Sequence, residues 1–270
     1  MRINKFKQIH NTPPEHNLCK VLSGFKLKNG GKQTAEEWNA ILQQLLQKKT
    51  SQENIYAYLR NELKQTVAFE NIGRAAKLAD NLIDALPRFK KKTSYNSLLD
   101  VGCATGTITE ALMQKLNIPS SRTFGTDIDD YPITKFNFIK TTQQTTRFDT
   151  IADRSIDLIT CSMCLHHIEN IDAILAELAR VISQQGILII REHDCPDQTF
   201  AYYLDIIHGL YEISLAETPN LAFLRTYEAY YKRQTEWRQI ISAAGFRCVY
   251  QSKPVSNYRA YYGVFALHKV

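Results

Sequence analysis

Between residues 97 and 192, short apolar runs alternate with stretches of helical period, and this alternation constrains the fold more than any other feature. SLLDV (97–101), RTFGTDID (122–129), FNFIK (136–140), SIDLITCSM (155–163) and GILIIRE (186–192) are too short for helices, and most of them end at glycine, polar or acidic residues. They read as buried strands. TITEALMQKL (107–116) and DAILAELARVIS (172–183) space their apolar residues as helices do. Alternation of this kind predicts a parallel sheet with helices on both faces. GFRCVYQSK and YRAYYGVFALHKV supply two closing strands with a short link.

The first third has no strand pattern. Residues 1–33 are polar, with Pro13-Pro14 and Gly30-Gly31 as breakers. Thr34-Ala-Glu-Glu37 is a capping box, and TAEEWNAILQQLLQKK follows as an amphipathic helix. Ser51 can cap a second helix, through about Gln65, and a third runs from near Phe69 to Leu86 and stops at Pro87. After the fifth strand, PDQTFAYYLDIIHGLYEISL reads as a helix, and so does TYEAYYKRQTEWRQIISAAG, ending at Gly245. The expected organisation is a basic arm over 1–33, a helical extension over 34–94, and a main domain over 95–270 with a helical insertion near 196–225.

A chain of 270 residues suits one α/β domain with an appendage. The longest apolar runs cannot span a bilayer, and the N-terminus lacks an apolar core of signal-peptide length, so a cytoplasmic protein without membrane contact is expected. Six scattered cysteines then read as free thiols. Residues 1–34 carry seven basic side chains and one acid, which equals the whole net charge of +6. This arm is either a solvated tail or a contact for an anionic partner such as RNA, and Arg88-Phe-Lys-Lys-Lys92 admits the same two readings.

LLDVGCATG (98–106) lies at a strand end, where doubly wound sheets bind ligands. Gly102 and Gly106 can adopt angles closed to other residues and let a ligand approach the backbone. A side chain at Gly102 would fill that turn. The spacing is wrong for the dinucleotide fingerprint. Asp100 would repel a pyrophosphate but could receive an amine. Asp127, ending the second strand, can accept two ribose hydroxyls. The two acids bracket a ligand with a cationic amino-acid end and an adenosyl end, and S-adenosylmethionine has both.

From about residue 95 to 268 the chain resembles the class I S-adenosylmethionine-dependent methyltransferases. LLDVGCATG resembles their first motif and GTDID their second-strand acid. SIDLITCSMCLHHIENIDAILAELARVISQQGILII resembles their next strand–helix–strand, and AAGFRCVYQS with the last strand resembles their closing antiparallel pair. The resemblance implies a doubly wound, mostly parallel seven-stranded sheet with the last strand antiparallel, here behind an N-terminal helical extension. It places Asp100, Gly102, Cys103, Ala104 and Gly106 at the methionine end of the cofactor. Asp127 would hold the ribose, with Ile128 beside the adenine, and Cys161 would lie at the fourth strand's end. Two departures stand out. Ala104 replaces the family's middle glycine, and no acid directly follows the third strand, so either Asp149 meets the adenine amine from a longer loop or no acid does.

A base matters if the methyl acceptor carries a proton. His166, Glu192 and His193 lie at strand ends and are the catalytic candidates. For His166 and His167 the alternative is capping of the next helix. For Glu192-His193-Asp194 it is a capping network before Pro196. Cys161-x-x-Cys164 with its neighbouring histidines has a zinc-like spacing, but a strand end and helix start account for it, so no metal is expected. Tyr202, Tyr203, Tyr211, Tyr227, Tyr230 and Tyr231 either shape an acceptor pocket or pack in a helical core. A small-molecule acceptor is the first reading. RNA methylation through the basic arm is the second. The third is a catalytically silent partner subunit, with the N-terminal helices as a docking surface for another protein.

Overall fold

The computed structural model describes residues 3–65, 72–86, 94–145 and 147–268. Residues 87–93, with the Arg88–Lys92 run, and the proposed start of the third helix at Phe69 lie outside them. The chain forms two compact units. One comprises the described residues of Met1–Phe69 together with Cys195–Ala229, and the other comprises those of Glu70–Asp194 and Tyr230–Val270.

The second unit is the α/β body. Its strands are β1 (Leu98–Val101), β2 (Thr123–Asp127), β3 (Asn137–Lys140), β4 (Ile156–Ser162), β5 (Ile182–His193), β6 (Phe246–Gln251) and β7 (Ala260–Leu267). They form one sheet in the order β3-β2-β1-β4-β5-β7-β6. Every pairing is parallel except those of β7, which runs antiparallel to β5 and β6. Alternate residues feed two cores, because neighbouring side chains on a strand point to opposite faces. Leu99, Ile159, Leu188 and Ile190 pack on one face. The same cluster takes in Ile174, Leu175 and Leu178 of one helix (Ile171–Val181) and Trp237 and Ile241 of another (Gln234–Ala243). Leu98, Leu158, Ile187, Ile189 and Val264 pack on the other face, with Ala79 and Leu82 (helix Ile72–Asp84) and Leu112 (helix Thr107–Lys115).

The first unit is helical. Its elements are α1 (Lys5–Ile9), α2 (Pro13–Ser23), α3 (Ala35–Gln47) and α4 (Gln52–Glu62), joined by helices over Gln198–Gly209 and Phe223–Thr226. In chain order the four helices of the α/β body are α5 (Ile72–Asp84), α6 (Thr107–Lys115), α7 (Ile171–Val181) and α10 (Gln234–Ala243), and the two inserted ones are α8 and α9. The Thr34–Glu37 capping box forms with both of its bonds, and Ser51 accepts the Asn54 N–H as the N-cap of α4. Pro13 and Pro14 open α2 rather than break it, since the first turn of a helix needs no N–H there. The two stretches of this unit are bonded together. Tyr56 donates to the Ile206 carbonyl (3.3 Å), Ser214 donates to the Tyr56 carbonyl (2.9 Å), and Arg60 reaches the Ile213 and Glu217 carbonyls. Leu210–Leu215 continues α8 as a π-helical turn.

Two expected elements differ. TYEAYYKR does not continue into α10, because Tyr230 donates its N–H to the His166 carbonyl (2.6 Å) and Arg233 is extended as the N-cap, its own N–H taken by Glu236. The stretch read as helix over 172–183 ends at Val181. Ile182 already pairs with Ile156 and begins β5, upstream of the expected Gly186. Among the described residues no helix is long and apolar enough to cross a membrane.

Candidate functional site

Strand order reverses between β1 and β4, so a crevice opens at their carboxyl ends. The turn after β1 lies there. Gly102 and Gly106 have φ of +69° and +77°, a region favoured by glycine, and Gly106 is the N-cap of α6. The Gly102 and Cys103 N–H groups donate to the Thr126 carbonyl at 2.8 and 3.0 Å, tying the turn to β2. Asp127, at the end of β2, completes the link. One carboxylate oxygen accepts the Ala104 N–H at 2.8 Å and the other accepts the Asp129 N–H at 3.1 Å. Ala104 itself has a positive φ of +46°, in keeping with a position that elsewhere holds glycine.

Beside this clip lies a cavity of about 360 Å³, a size typical of small-ligand sites. Of the expected cofactor residues, Gly102, Ala104, Asp127 and Ile128 line it. Ile128 is 50% exposed, an apolar side chain held open at the cavity. Asp100, Cys103, Gly106, Asp149 and Cys161 are not among the lining residues. Asp100 is buried, and its two oxygens accept the Thr109 and Thr160 hydroxyls at 2.6 and 2.7 Å. Burial raises its pKa to about 6 against the pull of those two bonds. Cys103 is buried, Cys161 belongs to the core, and Asp149 is largely exposed beside Arg147 at 3.4 Å. A Cβ at Gly102 would meet the Cys164 Cβ at 2.4 Å, so what a side chain there would strike first is the protein itself.

The sequence reading missed much of the lining. Thr141, Thr142, Gln143 and Thr145 follow β3 where an acid was sought, while Phe148, Cys164, His167 and Ile168 complete the walls. Gln143 donates to the His167 carbonyl at 3.2 Å. Phe148 is fixed from behind. Glu177 accepts its N–H at 2.6 Å, and Arg180 binds Glu177 and the Phe148 and Ile151 carbonyls. Glu177 and Arg180 lie three apart on α7, a spacing visible in the sequence, but nothing local names the loop they hold. The chemistry of this lining suits an adenosyl ligand: a carboxylate for hydroxyls, an apolar side chain for a base and, among the described residues, no cluster of cations for a pyrophosphate.

His166, Glu192 and His193 come together at the ends of β4 and β5. Glu192 accepts the Leu165 N–H at 2.8 Å and meets His166 Nδ1 at 2.6 Å, both side chains fully buried. Burial moves each toward its neutral form, raising Glu192 and lowering His166. One proton shared along that 2.6 Å line satisfies both. His193 places Nδ1 2.8 Å from the Tyr258 carbonyl, and burial lowers its pKa to about 4. The Tyr231 ring stacks on His166 at 5.0 Å and meets His193 edge-on at 5.9 Å. Asp194 belongs to the scaffold: it accepts the Gln234 N–H, at the first turn of α10, and pairs with Arg259.

The helical unit has a cavity of its own, about 1,010 Å³, whose lining mixes Lys7, Lys49, Asp205, Glu53, Tyr202 and Phe223. The strand-end cavity is the stronger candidate despite its smaller size, because it lies where the strand order reverses and the Asp127 clip borders it.

A methyltransferase-domain family matches residues 71–251. A ubiquinone biosynthesis O-methyltransferase of Rickettsia bellii is 30% identical over 134 residues, which is 45% of this chain and 53% of the relative. The chain thus spans about half the length of the curated relatives it matches. Among solved structures, the S-adenosylmethionine dependent methyltransferase of Mesorhizobium loti aligns with a TM-score of 0.51 at 13% identity, over 72% of this chain and 99% of the other. A chain from the Haloferax volcanii complex of the Trm112 methyltransferase activator aligns with a TM-score of 0.50 at 13% identity, over 74% and 95%. These structural likenesses concern the fold alone, and the family match covers most of the α/β body. The chain belongs to the class I S-adenosylmethionine-dependent methyltransferase family.

Proposed function

We propose that this protein binds S-adenosylmethionine in the strand-end cavity and transfers its methyl group to a small-molecule acceptor. The observation that carries the reading is Asp127. Its carboxylate ends β2, lines the cavity, and spends one backbone bond per oxygen on fixing the turn. Each oxygen keeps a further lone pair for a ribose hydroxyl. Ile128 offers an apolar face to the adenine, and the backbone at Gly102 and Ala104 borders the amino-acid end. Asp100 acts from behind the turn, holding α6 and β4 through Thr109 and Thr160.

S-adenosylmethionine supplies a methyl group already activated on a sulfonium. The protein's part is then orientation, exclusion of water and, for a protonated acceptor, a base. His193 has the state a base needs. Its lowered pKa keeps it neutral near pH 7, and the Nδ1–H bond to the Tyr258 carbonyl puts the lone pair on Nε2. Glu192 and His166 hold the turn after β4 in place and stay uncharged as a pair. The relative named as a ubiquinone biosynthesis O-methyltransferase makes hydroxyl groups the first acceptors to try.

The test is calorimetric titration with S-adenosylhomocysteine, the demethylated product. Wild type should bind at about micromolar Kd or tighter, roughly −8 kcal/mol. Asp127→Ala should bind at least tenfold more weakly, because two hydrogen bonds to a charged group are lost. Equal affinity of the two proteins overturns the ribose assignment. No binding by either leaves a methyltransferase fold without its cofactor, and the silent-subunit reading then leads.

A further inference from the structure

Phe148 owes its place in the cavity wall to two residues outside that wall. It lines the strand-end cavity and packs in the core cluster that takes in Ile151, Ile174 and Leu178. Glu177 and Arg180, on the last turns of α7, are not among the lining residues. Between them they hold the turn 148–151 at both ends. Glu177 Oε1 accepts the Phe148 N–H at 2.6 Å. Arg180 Nη2 donates to the Phe148 carbonyl at 3.3 Å, and Nη1 and Nη2 both donate to the Ile151 carbonyl at 3.0 Å. Nε and Nη2 also grip the two Glu177 oxygens at 2.7 and 2.6 Å, and Nη1 meets Asp153. The turn's own bond, from the Ile151 N–H to the Phe148 carbonyl, is 2.9 Å long.

A simpler role would confine Arg180 to α7, as a cation in the last turn paired with a glutamate one turn back. That role needs only a charge. Here each of the three guanidinium nitrogens has a fixed partner, and the carbonyls it binds belong to the loop and not to the helix. A lysine has no planar fork and cannot hold Glu177 and both carbonyls together. The same helix also lines the cavity directly through Ile174, one turn before Glu177. One rigid element thus supplies part of the wall and pins the turn that carries another part.

We propose that Arg180, acting with Glu177 through the 148–151 backbone, is a positioning residue for the strand-end cavity and sets its affinity for the adenosyl ligand from behind the wall. This rests on the cofactor reading above. Without the fork, fewer bonds hold the turn, and it spends part of its time displaced. Apparent affinity falls with the population of the competent form, so a turn in place about a tenth of the time gives a Kd about tenfold higher.

The experiment compares wild type, Arg180→Lys, Glu177→Gln and Asp153→Asn in two measurements on the full chain. One is the Kd for S-adenosylhomocysteine by calorimetry, under conditions where urea unfolding shows each protein folded. The other is amide exchange of the 148–151 backbone in the ligand-free protein, read by mass spectrometry. Arg180→Lys should bind about tenfold more weakly, with correspondingly faster exchange in that turn. Glu177→Gln keeps an oxygen for the Phe148 N–H but loses the ion pair, so it falls between. Asp153 meets Arg180 from the solvent side, 70% exposed, and Asp153→Asn should match wild type in both measurements. A purely structural Arg180 would lower the urea midpoint and leave the Kd of the folded protein unchanged, and that result overturns the proposal. Weaker binding with unchanged exchange also overturns it, because the effect would then travel by another route. So does a loss in Asp153→Asn equal to that in Arg180→Lys, which would assign the effect to charge alone. If wild type itself binds no S-adenosylhomocysteine, the cofactor reading fails and takes this proposal with it, whereas wild-type affinity in Arg180→Lys removes this proposal only. Should Arg180→Lys not fold, Glu177→Gln carries the same paired comparison of affinity and exchange.

Discussion

Gly102→Ala tests whether the turn after β1 is built against the protein or kept open only for a ligand. Two costs add. Alanine at a φ of +69° takes the left-handed region, at about 1–2 kcal/mol, less roughly 0.5–1 kcal/mol recovered from the unfolded state. The new Cβ would stand 2.4 Å from the Cys164 Cβ, where carbon contacts prefer about 3.5–4.0 Å. Because the clash is between two Cβ atoms, no rotamer of Cys164 relieves it, and overpacking of this kind costs about 1–3 kcal/mol. The substitution should therefore cost about 3 kcal/mol in all. The second part vanishes in a Cys164→Gly background and persists in Cys164→Ala, which keeps its Cβ. Urea unfolding of the cycle should give a coupling of about 2 kcal/mol with glycine at 164 and near zero with alanine. A coupling below about 0.5 kcal/mol with glycine would refute the reasoning, since that is the scatter expected for independent sites.

Asp100 predicts a pH signature. Its folded pKa of about 6 stands above the ordinary 3.8, so it stabilises the fold below pH 3.8 and loses that contribution as pH rises through about 6. Relative to Asp100→Asn, wild type should lose about 2 kcal/mol between pH 4 and 7 by chemical denaturation, and a pH-independent difference would contradict the buried-carboxyl picture. Ala104→Gly relieves a φ of +46° and should stabilise the protein by about 0.5–1 kcal/mol without weakening S-adenosylhomocysteine, and a loss of stability in the melt would count against strain there. Glu192→Ala strands the Leu165 N–H and His166 in the core and should cost about 3–5 kcal/mol, whereas Glu192→Gln, still able to bond both, should cost about 1 kcal/mol. Similar urea midpoints for the two variants would show that the pair carries little.

The strands were legible because β1, β4 and the part of β5 from Gly186 onward are short, apolar and bounded by glycine, polar or acidic residues, a pattern that a helix does not make. Caps were legible too, because Thr34 with Glu37 and Ser51 with Asn54 interact within one turn. What the sequence withheld is long-range. TYEAYYKR has the composition of a helix, but Tyr230 answers to the carbonyl of His166, 64 positions earlier. For the adenine the sequence left either Asp149 or no acid, and Asp149's neighbour Phe148 is the residue drawn inward, by Glu177 and Arg180 of α7. Asp100 has the right residue type for an amine, and only the two threonine hydroxyls, from α6 and β4, reveal a carboxyl turned into the core. In each case a partner from another element shares in deciding the outcome, and the local sequence does not name it.

The division of the helical unit between two stretches of chain has a consequence for synthesis. Tyr56 and Arg60 leave the ribosome early, but the carbonyls of Ile206, Ile213 and Glu217 that they bind are made more than a hundred residues later. At roughly 5–20 residues per second, the N-terminal helices wait about 10–30 s with their apolar faces exposed. During that interval they are candidates for chaperone binding. A nascent chain arrested before residue 195 would display that surface indefinitely, so ribosome-bound chains stalled on either side of residue 229 should differ sharply in protease resistance over residues 5–62.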